Sequence, residues 1–323
     1  MQALRVHSFE SLDSLVLDEV ALPQPAAGEV RVRVQASAIS FVDLLRAEGR
    51  YQVRNALPFI GGSEFAGIVD AVGPGVSGLA AGDPVAGLSA GAWAEYVCAP
   101  RDMVHKVRAG TSAVEAASLS AAYCTVLYGL AKRGALKAGE TVLVLGAAGS
   151  IGYAAVQVAK ALGARVIAGA STQAKRDAAR QAGADALLDT SADDWKDQAK
   201  QLAGPQGVDI VVDPVGGKAT DTAFRTLGWK GRHLMVGFAS GGIGALGTNL
   251  AIVKGASLIG VDMRAFRERE PQAAADVMKR VVELHGEGKI KPLVAGTVPA
   301  RQFAEAIQQT KSAGTVGRIV LAW

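Results

Sequence analysis

Apolar and polar residues follow two different rhythms along this chain of 323 residues, and the rhythm changes near residue 120. In the first part, EVRVRVQAS and AWAEYVCAP alternate by twos, which is typical of half-buried β-strands. FAGIVDAVG predicts a more apolar strand that closes on a Gly-Pro turn. These patterns predict a first domain made mostly of strands and turns.

After residue 120, helical and strand patterns alternate. The helix AAYCTVLYGLAKRG comes first, and helices then separate the predicted strands TVLVLG, ARVIAG, DALLD, VDIVVD and RHLMVG. Such alternation predicts an α/β fold with a doubly wound parallel sheet. SLIGV, near residues 257–261, adds a strand at an edge of that sheet. Two amphipathic helices, AADVMKRVVELHGEGK and RQFAEAIQQTKS, and a last strand, GRIVLAW, complete the chain.

The segment TVLVLGAAGSIG, residues 141–152, carries the most specific chemistry, because a short apolar run leads into glycines at 146, 149 and 152. In dinucleotide-binding folds such glycines permit a tight turn, backbone approach to a pyrophosphate and close packing of the following helix. The flanking helix and strand fit this interpretation, whose alternative is an ordinary glycine-rich turn. We therefore predict that the backbone of Ala148, Gly149, Ser150 and Ile151 binds a dinucleotide.

The end of the second strand predicts which dinucleotide is bound. NAD-binding folds usually place an acidic residue there to bind the ribose hydroxyls, whereas this strand ends at Ala170 and is followed by Ser171, Thr172, Lys175 and Arg176. Hydroxyls and cations suit a 2'-phosphate, which favours NADPH, with Ser171 and Lys175 as its ligands. Alternatively, Ser171 caps the next helix and the two cations form its solvated face. Both interpretations can hold together.

Composition excludes several other classes of function. With 50% hydrophobic residues the chain can bury two ordinary cores, and no apolar run approaches the roughly 18 to 20 residues of a membrane span. The N-terminus has no apolar signal segment, so we expect a cytoplasmic protein. The net charge of +4 is dispersed, which argues against nucleic-acid binding.

Cysteines and histidines indicate no metal or hydrolytic site. Cys98 and Cys124 form no metal-spaced cluster, and we expect them to be buried thiols. The four histidines are scattered without an evident carboxylate or nucleophile beside them, which favours structural roles for His7, His105, His233 and His285. We expect no nucleophile elbow of the GxSxG type, and no HExxH motif occurs, so the sequence does not indicate a hydrolase.

Together the motifs carry a family likeness over nearly the full length. They are AISFVDLLRAEGRY, GGSEFAGIVDAVG, GDPVAGLSAGAWAEYV, KAGETVLVLGAAGSIG, GVDIVVDPVGG, GRHLMVGFASG and AGTVGRIVL. The chain resembles the zinc-free, NADPH-using quinone oxidoreductase branch of the medium-chain dehydrogenase/reductase superfamily. The resemblance implies a GroES-like catalytic domain (residues 1–120 and 262–323), a Rossmann domain (121–261), a cleft between them, and a homodimer formed through SLIGV.

The resemblance also implies a metal-free site. At positions where zinc-dependent relatives carry two cysteines and a histidine, this chain carries Ser40, Ser63 and Ala121, none of which is a good zinc ligand. Glu64 is retained, but one carboxylate makes no metal site. The branch often has asparagine in place of Ser40 and tyrosine in place of Leu45, so the contacts to substrate differ here.

Further site residues follow from the same resemblance. Tyr51, Ser40 and Asp43 are candidates on the substrate side, where Tyr51 would hydrogen-bond a substrate oxygen or be a half-buried loop aromatic, and Asp43 would orient a ribose hydroxyl or bond its own loop. The residues expected near the nicotinamide and its ribose are Thr125, Tyr128, Gly237, Phe238, Asp262 and Met263.

The expected reaction is hydride transfer from NADPH to a quinone or another conjugated carbonyl compound. Two alternatives stay open at this stage. One is an enone or enoyl double-bond reductase of the same fold, and the other is a low-turnover NADPH-binding sensor or structural protein.

Overall fold

A computed structural model describes residues 1–312 and 314–323; the first residue of the motif AGTVGRIVL lies outside this range. Its strands are Gln2–Val6 (β1), Leu15–Glu19 (β2), Glu29–Ala38 (β3), Phe59–Ile60 (β4), Glu64–Val72 (β5), Pro84–Leu88 (β6), Tyr96–Pro100 (β7), Val104–Lys106 (β8), Thr141–Val144 (β9), Arg165–Ala170 (β10), Ala186–Asp189 (β11), Val208–Asp213 (β12), Leu227–Met235 (β13), Ser257–Gly260 (β14), Val294–Pro299 (β15) and Arg318–Ala322 (β16). Its α-helices are Phe41–Ala47 (α1), Ala113–Ala116 (α2), Ser120–Leu127 (α3), Ser150–Ala161 (α4), Gln173–Gln181 (α5), Trp195–Ala203 (α6), Lys218–Phe224 (α7), Asn249–Lys254 (α8), Met263–Arg269 (α9), Pro271–Gly286 (α10) and Phe303–Lys311 (α11).

The chain divides into two compact units. The first unit comprises Met1–Ala121, Pro271–Gly286 and Pro292–Trp323, and the second comprises Ala122–Glu270 and Glu287–Lys291. The domain boundaries given by the sequence stay predictions.

The second unit is the predicted doubly wound α/β fold. Its six strands lie in the order β11-β10-β9-β12-β13-β14 and all pair in parallel. The order reverses between β9 and β12, which is the point where open α/β sheets bind ligands at the carboxyl ends of their strands. Each central strand is an apolar run that both faces bury: all four residues of β9 are buried.

Two details of this unit refine the sequence prediction. The first four residues of SLIGV form β14, which among the described strands pairs only with β13 and is therefore the predicted edge strand. The helix predicted over AAYCTVLYGLAKRG is not uniform, because α3 ends at Leu127 and a π-helix continues over Tyr128–Arg133. The wider turn is visible in the 2.7 Å hydrogen bond from the N–H of Gly134 to the carbonyl of Gly129, five residues earlier.

The first unit is mostly β, as the GroES-like expectation requires. One sheet has the order β15-β16-β3-β5-β6-β8, with β7 paired to β3, and a smaller sheet has the order β2-β1-β4. The alternating residues of β3 explain its place, since Val30, Val32 and Val34 are buried on one face. Trp93 is fully buried against Gly61 and Gly62, where any Cβ would lie under 2.5 Å from its ring.

The expected burial of both cysteines is correct for Cys124 and wrong for Cys98, which is half-buried on β7. Both are thiols and not a disulfide. Within the residues that the structure describes, no helix has the length and apolar character needed to cross a membrane.

The glycines of the β9–α4 turn differ in what they permit. Gly146 has φ of +58°, a left-handed conformation that favours glycine. A Cβ on Gly152 would lie 2.1 Å from the carbonyl oxygen of Gly146, so α4 can pack this closely only without a side chain there. Gly149 has φ of −76°, and a Cβ on it would meet no protein atom closer than 3.4 Å. The fold itself therefore needs glycine at 146 and 152 but not at 149.

We predict different stabilities for two matched variants. Gly152→Ala should lower the free energy of unfolding by about 1 to 3 kcal/mol, because backbone atoms must move to admit the methyl group. Gly149→Ala should change it by less than about 0.5 kcal/mol, as for an exposed substitution. Urea unfolding of both variants tests this, and equal losses of stability would contradict it.

Candidate cofactor and substrate sites

The turn before α4 presents backbone N–H groups at the carboxyl end of β9. Gly149 is the N-cap residue of α4, and no side chain caps this helix. The first N–H groups of a helix have no partner within the helix, and together with its dipole they form a site for an anion. Ala148, Gly149, Ser150 and Ile151 form this turn and the first residues of α4, and Ser150 has ordinary helical backbone. The arrangement fits a pyrophosphate, because Gly149 leaves open the space that a side chain would fill.

The turn between β10 and α5 differs from the sequence prediction in its cap. Thr172, and not Ser171, is the N-cap residue, with its hydroxyl accepting from the N–H of Lys175 at 3.4 Å. The prediction was one residue early because β10 ends at Ala170 and two residues intervene before α5. Ser171 is exposed. Lys175 is half-buried, and within the described residues no hydrogen bond or ion pair engages its ammonium group.

A buried carboxylate lies at the carboxyl end of β12, and the sequence did not single it out. Asp213 accepts hydrogen bonds from the N–H groups of Val215 (2.9 Å) and Gly216 (2.8 Å) and from the hydroxyl of Thr220 (2.8 Å). The Nε2 of His233, on β13, lies 3.0 Å from the same carboxylate. Burial alone would raise the pKa of Asp213, but hydrogen bonds from His233, Gly216 and Thr220 hold it below its ordinary value. Asp213 is therefore ionised and fully hydrogen-bonded at neutral pH.

The backbone of Asp213 extends this network to the predicted nicotinamide residues. Its carbonyl accepts from the N–H groups of Val236 (2.9 Å) and Gly237 (3.3 Å). The next turn packs against the same loop, since a Cβ on Gly216 would lie 2.8 Å from the ring of Phe238. Gly237 and Phe238 thus follow β13 at the carboxyl edge, held against the loop that follows β12.

The remaining predicted cofactor residues of this unit lie on α3, the π-helix and α9. The ring of Tyr128 stacks on that of Phe266 with 3.9 Å between centroids and 11° between planes. Asp262 is the N-cap of α9 and accepts from the N–H of Ala265 at 3.0 Å, and Met263 begins that helix three residues after the carboxyl end of β14. Thr125 is half-buried on α3, one turn before Tyr128.

In the first unit, two of the three substrate-side candidates share one hydrogen-bond network. The hydroxyl of Ser40 donates to Asp43 Oδ2 (2.6 Å), and the hydroxyl of Ser63 donates to Asp43 Oδ1 (2.8 Å). The N–H of Ser40 also donates to this carboxylate, and the Ser40 hydroxyl accepts from the N–H of Asp43, which makes a capping box for α1. Asp43 therefore bonds its own loop, one of the two roles expected of it.

Tyr51 lies outside this network. It is half-buried, and its ring faces the guanidinium of Arg46 at 5.1 Å. Among the described residues no protein group hydrogen-bonds its hydroxyl.

Glu64, next to Ser63, has a partner that sequence reasoning missed. It is fully buried, accepts from the N–H of Ala121 at 2.6 Å and forms an ion pair with Arg318, which lies 254 residues later in the chain. Burial raises the pKa of Glu64, an effect that the positive charge of Arg318 opposes. The Glu64 carboxylate thus links β5 to Arg318 of β16 and to the backbone of Ala121.

The histidines correct another sequence-based expectation. Three of them do have carboxylate partners: His7 lies 2.7 Å from Asp18, His285 lies 2.8 Å from Glu115, and His233 bonds Asp213. Each pair joins two separate segments of the chain, as structural histidines do. Among the described residues, no group of three or more histidine, cysteine, aspartate or glutamate side chains is arranged to hold a metal ion.

Comparisons with known proteins agree with this architecture. A zinc-binding dehydrogenase family model matches residues 150–280, and an alcohol dehydrogenase GroES-like domain model matches residues 26–109. Quinone oxidoreductase-like protein 2 of Bos taurus is 34% identical over 95% of this chain and 89% of its own length.

Two solved structures share the fold over nearly the whole chain. A mycobacterial protein, Rv1454c, solved in complex with NADPH, is 30% identical with a TM-score of 0.91 over 100% of both chains. The CurK enoyl reductase is 25% identical with a TM-score of 0.90 over 99% of this chain and 98% of its own. The sequence motifs, the two units and these relatives agree: the chain belongs to the medium-chain dehydrogenase/reductase superfamily, beside its quinone oxidoreductase-like members, and is an oxidoreductase.

Proposed function

We propose that this protein uses NADPH to reduce a quinone or a similar conjugated carbonyl compound without a metal ion. The observation that carries the proposal is the cluster of Ser40, Asp43 and Ser63. Where zinc-dependent relatives carry ligands, two hydroxyls donate their protons to Asp43. Hydroxyls are poor zinc ligands, so the substrate should be one whose reduction needs no metal to polarise its oxygen.

The second unit supports NADPH as the cofactor. The uncapped N-terminus of α4 suits the pyrophosphate, and Lys175 with Ser171 suits the 2'-phosphate, since β10 ends at Ala170 without a carboxylate. The structural relative Rv1454c was solved with NADPH. We assign Gly237, Phe238, Asp262, Met263, Thr125 and Tyr128 to the nicotinamide and its ribose. When bound, NADPH supplies the hydride, and the residues of this chain supply orientation and electrostatics.

Acceptor chemistry favours a quinone. A quinone that receives hydride becomes an aromatic phenolate, whose conjugate acid has a pKa of about 10, like tyrosine. An enone becomes a more basic enolate and needs a hydrogen-bond donor aimed at its oxygen. The relative from Bos taurus is named as quinone oxidoreductase-like. Tyr51, whose hydroxyl has no protein partner in the described residues, is our candidate for contact with the acceptor oxygen.

A second candidate is reduction of an enone or enoyl double bond. The likeness to the CurK enoyl reductase favours it. A panel of quinones, enones and enoyl thioesters compared by kcat/KM separates the two reactions, and absence of turnover on all of them would leave a cofactor-binding protein.

We also propose a homodimer that forms through β14. Large apolar side chains are exposed on and beside this edge strand: Leu258 is 53% exposed, Ile252 on α8 is 84% exposed, and Trp229 on β13 is 72% exposed. An edge strand exposes backbone N–H and C=O groups that can pair with another strand, and the apolar side chains around it favour burial. Pairing with the same strand of a second copy would continue the sheet across a two-fold axis.

We predict turnover that does not depend on a metal ion. The purified protein should oxidise NADPH when a small quinone is added, and this activity should survive exhaustive chelation. A zinc-dependent alcohol dehydrogenase treated in the same way is the control. Stoichiometric zinc by elemental analysis, together with activity that only added zinc restores, would refute the metal-free reaction.

We also predict the effect of removing the hydroxyl of Tyr51. Tyr51→Phe keeps the ring that faces Arg46, so kcat for a quinone should fall by less than about tenfold, the size of one modest hydrogen bond. Any enone activity should fall by more, on the order of 100-fold. Tyr96→Phe, a half-buried tyrosine on β7, is the matched control. Loss of quinone turnover in the Tyr51 variant, with normal NADPH binding, would make Tyr51 an obligatory proton donor and contradict this assignment.

The proposed dimer can be tested at β14. Leu258→Lys should convert the dimer to a monomer at micromolar concentration, as measured by light scattering, because it places a charge in the proposed interface. Val16→Lys on β2, where the side chain is 45% exposed, should leave the dimer intact. A monomeric parent protein would contradict the proposed assembly.

A further inference from the structure

Arg176 stands beside the proposed 2'-phosphate site but is fully engaged by its own unit. Its Nη1 donates to the carbonyl oxygen of Ala170 at 3.1 Å and lies 2.9 Å from Asp189 Oδ2, and its Nη2 donates to Gln173 Oε1 at 3.2 Å. Its side chain is only 16% exposed. A guanidinium with these three partners is held along the ends of two strands and does not extend from α5 towards a ligand.

Asp189 occupies an informative place in the sheet. It is the last residue of β11 and pairs in register with Ala170, the last residue of β10. The acid that binds ribose hydroxyls in NAD-binding folds usually stands at the end of β10, so this chain carries its carboxylate one strand further out. The N–H and hydroxyl of Ser191 donate to Asp189 Oδ1 at 2.9 and 2.5 Å. These two bonds, together with the charge of Arg176, lower the pKa of Asp189 although burial opposes them.

The two cations at this edge of the sheet therefore differ in whether they are paired. Arg176 is matched by Asp189, whereas the ammonium of Lys175 has no partner among the described residues. Lys175 is thus the cation that remains for a ligand.

We infer that Asp189 is a specificity-determining residue, which holds Arg176 away from the adenosine 2'-phosphate and so limits how strongly the protein prefers NADPH to NADH. The inference rests on the proposed cofactor site. Its physical basis is that a released guanidinium would form charge-assisted, bidentate bonds to phosphate, a stronger contact than a single ammonium makes.

The test variant is Asp189→Asn, which keeps an oxygen to accept from Ser191 and removes the charge that binds Arg176. The probes are adenosine 2',5'-bisphosphate and 5'-AMP, which differ only in the 2'-phosphate, titrated calorimetrically into the full-length protein. We expect affinity for the bisphosphate to rise about tenfold or more, a typical gain for one added charge-assisted bond. Affinity for 5'-AMP should change less than twofold.

Two further variants distinguish the release of Arg176 from the mere loss of a negative charge near the phosphate. Asp185→Asn is the matched control, because Asp185 directly precedes the same strand, is also ion-paired, with Lys160 at 2.8 Å, and lies about 13 Å away along β11. It should not change the ratio of the two affinities. In an Arg176→Gln background, Asp189→Asn should have less than a twofold effect, because the cation that it releases is gone.

Several outcomes would overturn the inference. The inference would be wrong if affinity for the bisphosphate did not rise in Asp189→Asn, or if it rose equally in Asp185→Asn. It would also be wrong if Asp189→Asn still raised this affinity in the Arg176→Gln background. A fall in 5'-AMP affinity in Asp189→Asn would instead assign Asp189 to the ribose hydroxyls. If Asp189→Asn fails to fold, Asp189→Ser makes the same change of charge and takes its place.

The parent protein and Lys175→Gln distinguish failure of the cofactor assignment from failure of this inference. The parent should bind the bisphosphate more tightly than 5'-AMP, and Lys175→Gln should reduce that preference. Equal affinities in the parent would refute the 2'-phosphate site and the inference with it. A normal parent preference that Lys175→Gln reduces and Asp189→Asn leaves unchanged would refute the inference alone.

Discussion

The carboxylate of Asp213 is the interaction on which the cofactor edge of the second unit depends. It is fully buried, and a buried charge is tolerated only when hydrogen bonds replace the lost water. Here the donors come from the loop after β12, from α7 and from β13. One side chain thus fixes the relative positions of three segments. Removal of any single donor would leave part of a buried charge unsatisfied, which costs more than the bond itself contributes.

The imidazole that completes this network lies between the carboxylate and an apolar layer. Nε2 of His233 lies 3.0 Å from Asp213 Oδ2, and among the described residues no group hydrogen-bonds its buried Nδ1. The ring also lies against that of Phe224, with 6.0 Å between centroids. His233 therefore joins Asp213 to this apolar layer, which agrees with the structural role expected of it from the sequence.

The sequence predicted what depends on neighbouring residues and missed what depends on distant ones. Gly146 and Gly152 were identified because the strand, turn and helix that require them lie within a dozen residues. The cap of α5 was misplaced from Thr172 to Ser171, since hydroxyl residues stand side by side and the pattern does not fix a helix start to one residue. Glu64 seemed isolated because its partner, Arg318, is brought to it only when β16 joins the sheet. For the same reason no periodicity could pair Asp213 with His233, although an aspartate that ends a buried strand before Pro-Val-Gly-Gly was a usable signal.

The hydrogen bonds from two serine hydroxyls to Asp43 affect when the reduced product can be protonated. A hydride brings two electrons and one hydrogen nucleus, so a neutral reduced product requires one more proton. Ser40 and Ser63 direct their protons at a carboxylate and offer only lone pairs to anything nearby. In the proposed reaction this cluster therefore does not deliver that proton. In that reaction, hydride transfer and protonation would be separate events, and the reduced molecule would leave as an anion and be neutralised in solution.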